Sequence, residues 1–298
     1  MKIGTIAQHA NIGPTRSDSI ITNTIPGRLN DFPIWAWWDF TDATAVGGGT
    51  DPISMFHLGN PVTKLQSLQE CDDKGPYDAD LSTDDVGKGP DYYIVEGQDN
   101  YSYIQSLGPG VDYMQFTNPA DLYYRNFTII MILDKVGNTN SEYNEYLFQI
   151  ESSGQSIYAY TLKNTNKLYV LGRGFTHYRI YDNFWSDTDG GDTNNNFNWI
   201  ALVGQSTGKI DLYSRGKLVT PDTDHNSLPD QYVAKNSTSV ILGADDQTSS
   251  EDESLSPGLK LYEMLIYEQS LTAQQLQSID LYVKNKYSSY PYGRINGY

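Results

Sequence analysis

Apolar and aromatic residues crowd the segment Leu259–Tyr267, LKLYEMLIY, on both of its alternating faces. A strand with this pattern is expected between two covered faces. Ser270-Leu271 then marks a turn, and Thr272 with Gln275 has the T-x-x-Q spacing of a capping box. Leu271 and Leu276 take the staple positions around that cap. Leu276, Ile279, Val283 and Tyr287 recur at spacings of three and four, which makes one apolar stripe. Lys284 and Lys286 fall in the last turn, where cations suit the helix dipole. The pattern predicts a long buried strand followed by one amphipathic helix laid on a sheet.

The rest of the chain predicts strands. FTIIMILDK at 127–135 is a continuous apolar run, and shorter runs follow at 146–150, 157–162 and 168–171. Polar turns such as SSGQS and KNTNK separate them, which indicates a sandwich and not βαβ units. From Asn198 to Val219 the sequence reads as three strands with tight turns, and Gly208 and Gly216 stand where positive φ is expected. Earlier, short strands are expected at 92–96, 101–104 and 111–116. Residues 43–100 are acidic and turn-rich and give little pattern. The run IWAWWDFTD, from Ile34, opens the folded part; its tryptophans suit a core strand or a sugar-stacking platform. Residues 1–33 are polar and read either as a loosely docked leader or as an arm that adds a strand to a neighbouring subunit. Residues 288–298 form a tail whose Pro291 and Gly293 preclude a regular helix.

Several of these segments resemble the concanavalin A-like, laminin G-type lectin/glucanase superfamily. The closing strand and helix carry Glu263, Ile266, Tyr267, Ser270, Leu271, Thr272, Tyr282, Val283, Lys286 and Tyr287 at the family's positions. Trp38, Asp39 and Asp42 resemble the opening strand, and VDYMQF resembles a later one. Trp199, Val203, Gly208, Leu212, Tyr213, Gly216 and Val219 stand in register with the family's hairpin segment, and SVILG at 239–243 with the strand after it. The resemblance spans residues 34–287. It implies an all-β fold: an antiparallel jelly-roll β-sandwich with one C-terminal helix, flanked by extended termini at 1–33 and 288–298. It says less about function, because one fold hosts many activities.

Composition narrows the partners. The 298 residues carry a formal net charge of −17, so nucleic acid and anionic lipid are poor partners. Cys71 is the single cysteine, which excludes an intrachain disulfide. No apolar run of seven opens the chain and none approaches 18, so neither a signal peptide nor a membrane-spanning helix is expected.

Candidate chemistry is sparse. The retaining glucanases of the superfamily pair two carboxylates in a Glu-x-Asp-x-x-Glu motif, which this chain lacks. Glu251, Asp252 and Glu253 are contiguous, and Asp211 is isolated on its strand. Through the resemblance, Glu263 reads as a hydrogen-bonding residue at the sandwich edge. The histidines His9, His57, His177 and His225 have no ligand spacing, and no nucleophile elbow or phosphate loop is present. A catalytic role is therefore not expected.

The loop SDTDGGDTNNN places Asp187, Asp189 and Asp192 within six residues. Oxygen-rich and sulfur-free, it would suit Ca²⁺, or it is a plain surface loop. Phe184, Trp185 and Trp199 flank it and are the candidate carbohydrate-binding aromatics. Two functions follow as expectations. One is a decoration protein on the surface of a bacteriophage virion, a lectin-like subunit that joins its assembly through residues 1–33 and is homo-oligomeric or part of a larger array. The other is a carbohydrate-binding module, with or without Ca²⁺, that takes cell-surface glycans.

Overall fold

The computed structural model describes residues 34–40, 64–65, 81–82, 91–93, 103–105, 114–116, 126–135, 144–152, 155–162, 165, 167–173, 176–182, 184, 197–205, 209–227, 239–242, 253–255, 259–267 and 269–287. In chain order the strands are β1 (Ile34–Asp39), β2 (Lys64–Leu65), β3 (Leu81–Ser82), β4 (Asp91–Tyr93), β5 (Tyr103–Gln105) and β6 (Met114–Phe116). There follow β7 (Phe127–Lys135), β8 (Asn144–Ser152), β9 (Gln155–Thr161), β10 (Leu168–Arg173), β11 (Thr176–Tyr181) and β12 (Phe197–Gly204). The last are β13 (Ile210–Ser214), β14 (Lys217–Leu218), β15 (Thr223–Ser227), β16 (Ser239–Leu242), β17 (Glu253–Leu255) and β18 (Leu259–Tyr267), before helix α1 (Ala273–Lys286).

These strands make two sheets. The first runs β14-β13-β12-β7-β18-β5-β4, with β1 also paired to β18. The second runs β15-β11-β10-β9-β8-β16-β6-β3-β2, with β17 beside β8. The β17–β8 pairing is parallel and the others are antiparallel. The fold is the β-sandwich with a C-terminal helix that the strand pattern and the resemblance lead one to expect. Among the described residues no helix is long and apolar enough to cross a membrane.

The centre of the first sheet is β12-β7-β18, and its apolar runs explain why it is covered on both faces. Ile130, Ile132, Ala201, Val203 and Leu265 belong to one buried cluster with Leu276, Ile279 and Val283 of α1. The alternate residues Ile129, Met131, Ile200, Leu202 and Ile266 are buried too, toward the second sheet. Each such aliphatic contributes about 1.5–3 kcal/mol through burial.

Helix α1 starts where the sequence places it. Thr272 Oγ1 accepts from Gln275 N–H at 3.3 Å, and Gln275 Oε1 accepts from Thr272 N–H at 2.7 Å. Leu271 and Leu276 are both buried. A further anchor comes from the sheet: Thr128 Oγ1 donates to the Gln269 carbonyl at 2.8 Å and accepts from Leu271 N–H at 2.9 Å. That pair fixes the strand-to-helix turn against β7.

The hairpin of β13 and β14 turns through Arg215 and Gly216, with φ of 50° and 74°. Both central residues are left-handed, which is the type I′ geometry of two-residue hairpins. Its tip rests on α1: a Cβ added at Gly216 would lie 3.5 Å from the Leu276 carbonyl oxygen.

Candidate carbohydrate-binding face

Among the described residues polar chemistry is concentrated in three places, and the first lies under α1. Between Leu261 and Glu263 the pairing of β18 with β7 skips a residue: Leu261 faces Leu133, while Glu263 faces Ile132. The extra residue, Tyr262, makes a β-bulge. Glu263 is thereby held beneath the helix with no exposure to solvent. Tyr282 and Tyr287 donate their hydroxyls to its carboxylate at 2.8 and 2.6 Å. Lys286 forms an ion pair with the same carboxylate and lies 5.6 and 5.5 Å from the Tyr282 and Tyr287 ring centroids. Glu263 does hydrogen-bond, as expected, but it does so in the centre of a sheet and not at the sandwich edge. With both oxygens engaged and no access, this group ties a helix to a sheet.

Trp199 belongs to the same buried layer and has no exposed surface. Its indole N–H donates to Asp280 Oδ1 at 2.9 Å, and Lys284 holds the other oxygen of Asp280 at 2.6 Å. A ring closed on both faces offers nothing for a sugar to stack on, so Trp199 is a core residue and not a binding aromatic.

The second place joins the two sheets. Arg179 of β11 points inward and is buried. Its Nη1 donates to the Ile210 carbonyl and to Asp211 Oδ1, both at 2.6 Å, and its Nη2 to Asp224 Oδ2 at 3.2 Å. Asp211 is thus a partner across the sandwich and is not isolated. Burial lowers the affinity of Arg179 for its proton, and the bonds to Asp211 and Asp224 more than offset this. Burial pushes the neighbouring Tyr181 hydroxyl up to about 12, so it stays neutral across the physiological range.

The third place is the outer face of the second sheet. On β9, β10 and β11 burial alternates cleanly: Ile157, Ala159, Leu168, Val170 and Arg179 face in, while Tyr160, Tyr169, Leu171, Tyr178 and Ile180 are half-buried on the other side. Register then builds two rows. Tyr160, Tyr169 and Ile180 are directly opposite one another across β9, β10 and β11. Two residues along, Leu171, Tyr178 and His225 do the same across β10, β11 and β15.

Each row contains a cross-strand aromatic stack. The Tyr160 and Tyr169 rings are 5.3 Å apart and 14° from parallel. The Tyr178 and His225 rings are 4.8 Å apart and 11° from parallel. Neighbouring strands lie about 4.8 Å apart and the rows about 6.7 Å apart, so the face spans about 14 Å across four strands. Lys167 and Asp182, ion-paired at 2.9 Å, flank it. Burial is uneven between the sandwich faces: the described helix covers the first sheet, and these aromatics lie on the far side of the second.

The loop candidates divide. Phe184 is half-buried and meets Tyr181 edge-on at 6.2 Å. Trp185, Asp187, Asp189 and Asp192 lie outside the described residues, as do residues 1–33 and 288–298. Among the described residues no three His, Cys, Asp or Glu side chains are grouped to hold a metal ion.

Two strands of the outer face, β11 and β15, are absent from the sequence-based expectations. THYRIY carries a usable signal, since Tyr178 and Ile180 alternate with Arg179 and Tyr181. TDHNS of β15 carries none.

No family model matches the chain, and no curated protein matches it significantly. Solved structures similar to it include Trypanosoma rangeli sialidase in complex with the inhibitor DANA, at TM-score 0.48 and 8% identity, covering 93% of this chain and 36% of that one. The botulinum neurotoxin serotype D binding domain gives TM-score 0.41 and 14% identity over 74% of this chain and 50% of its own. The serotype G binding domain gives 0.42 and 12% over 67% and 48%. The chain therefore spans half or less of the length of these structures. Likenesses of this size carry no activity across.

Proposed function

We propose that this chain is a non-catalytic carbohydrate-binding module whose site is the tyrosine face of the second sheet. The observation that supports it is the pair of cross-strand aromatic stacks on that face. Saccharide rings present apolar C–H faces edged by hydroxyls. Half-exposed tyrosines meet both needs, with apolar ring area and a polar tip. Stacking also holds the rings before a ligand arrives, and tyrosine adds rigid contact area at low entropic cost. Two of the described carboxylates are placed for structure: Glu263 is enclosed, and Asp211 is committed to Arg179. This supports binding over hydrolysis. The assembly role on a virion draws on residues 1–33, outside the described residues, and stands as a separate proposal.

A glycan array probed with the full chain and with Tyr178→Ala tests the site. Tyr178 lies on the outer face, so its removal leaves the core intact. The variant is expected to fold and to lose retention by about tenfold, near 1.4 kcal/mol, on the saccharides the parent holds. Equal retention by both proteins would move the site elsewhere. Repeating the array with a chelator separates this face from a Ca²⁺-dependent loop, since a tyrosine face needs no metal.

A further inference from the structure

We propose that the tyrosine face takes a linear oligosaccharide that lies across its strands and touches both aromatic stacks, and not a single sugar. This rests on the carbohydrate-binding reading above and adds the size and shape of the ligand. The placement of the two stacks carries it. Tyr160 and Tyr169 stand in one row, on β9 and β10. Tyr178 and His225 stand in the next row, on β11 and β15. The stacks are therefore offset by two strands across the sheet and by one row along it. With the strand spacing and residue rise of a β-sheet, their centres are about 12 Å apart. A pyranose is a six-membered ring, as the tyrosine ring is. One sugar therefore covers one stack and leaves the other untouched.

The ground between the stacks is aliphatic. Leu171 lies two residues beyond Tyr169 on β10, and Ile180 two residues beyond Tyr178 on β11. Register sets Ile180 opposite Tyr169 and Leu171 opposite Tyr178, and all four are half-buried. The aromatics thus occupy one diagonal of this block and the aliphatics the other. Diagonal neighbours on paired strands lie about 7–8 Å apart, within reach of aromatic side chains. A saccharide chain that follows the Tyr169–Tyr178 diagonal passes from one stack to the other over Leu171 and Ile180. The C–H faces of successive sugar rings meet apolar surface along that path. His225 is exposed at its β15 end, so the chain can continue past the face. Once one stack is engaged, contact with the other is made within the same ligand. It then adds affinity without a second loss of translational freedom.

Calorimetric titration of the full chain with a length series tests this. The probes are the monosaccharide, the disaccharide and longer linear oligomers of one neutral homoglycan retained on the array. Affinity is expected to rise about tenfold or more from the monosaccharide to the oligomer that first reaches both stacks, and then to level off. Tyr169→Ala and Tyr178→Ala each remove one ring from one stack. Each is expected to weaken the long oligomer about tenfold and the monosaccharide far less, since the other stack still holds it. The length series of the parent decides the span without any variant. Equal affinity for monosaccharide and oligomer, weakened alike by Tyr178→Ala, would overturn the span and leave the site standing. A gain with length that neither variant reduces would overturn the site itself, as would an array that retains no saccharide.

Discussion

Replacing Glu263 with alanine is expected to destabilise the protein by about 3–5 kcal/mol, because it removes the carboxylate with which a buried cation is paired. Lys286 is enclosed between two tyrosine rings under α1, and its ammonium ion-pairs with Glu263. Removing the carboxylate also strips the acceptor from the Tyr282 and Tyr287 hydroxyls. Buried polar groups left without partners cost the full loss of their hydration. Chemical denaturation reads the effect as a lower midpoint with an unchanged slope. The matching experiment removes both charges. Glu263→Leu combined with Lys286→Met is expected to lose less than the sum of the two single changes, since neither charge is then left unpaired. Strict additivity, or a loss below about 1 kcal/mol for Glu263→Ala, would show that this group does not hold the helix.

Trp199 supplies the second large effect. Trp199→Ala is expected to cost about 3–5 kcal/mol through the cavity it opens in the layer beneath α1. Trp199→Phe keeps much of the volume and removes the donor to Asp280. Its cost is expected to be smaller, about 1–3 kcal/mol, with Lys284 still paired to Asp280. The phenylalanine variant is expected to fold, so that its glycan retention can be read directly, and to match the parent. Lost retention with stability unchanged would restore Trp199 as a binding aromatic.

These two residues show where sequence and structure part. The closing strand and α1 were legible because their signals are local: a nine-residue apolar run, a capping box three residues wide, and a stripe at helical spacing. The apolar run of β7 and the Arg215-Gly216 turn were legible for the same reason. Glu263 was legible as a hydrogen-bonding residue but not as a buried one. Its partners lie 19 to 24 residues ahead, and a bulge at Tyr262 turns it to the helix. Trp199 beside an acidic loop looks like a surface aromatic until Asp280, 81 residues away, closes on its indole.

The candidate site was less legible than the fold. Tyr160 and Tyr169 fell within expected strands, but only hairpin register sets their rings against each other. Tyr178 and His225 are 47 positions apart, and β15 has no apolar alternation to announce it. Arg179 interrupts β11 with a charge that Asp211 and Asp224 satisfy, from strands far along the chain. A strand that depends on distant counter-charges looks like a loop when read locally.

A saccharide site on the outer face of the second sheet would shift the amides of the strands that form it. Amide chemical-shift mapping of the full chain, titrated with a neutral oligosaccharide retained on the array, tests it most directly. The perturbed amides are expected to cluster in Gln155–Thr161, Leu168–Arg173, Thr176–Tyr181 and Thr223–Ser227. Perturbations confined to residues 184–199, with those four strands silent, would contradict it.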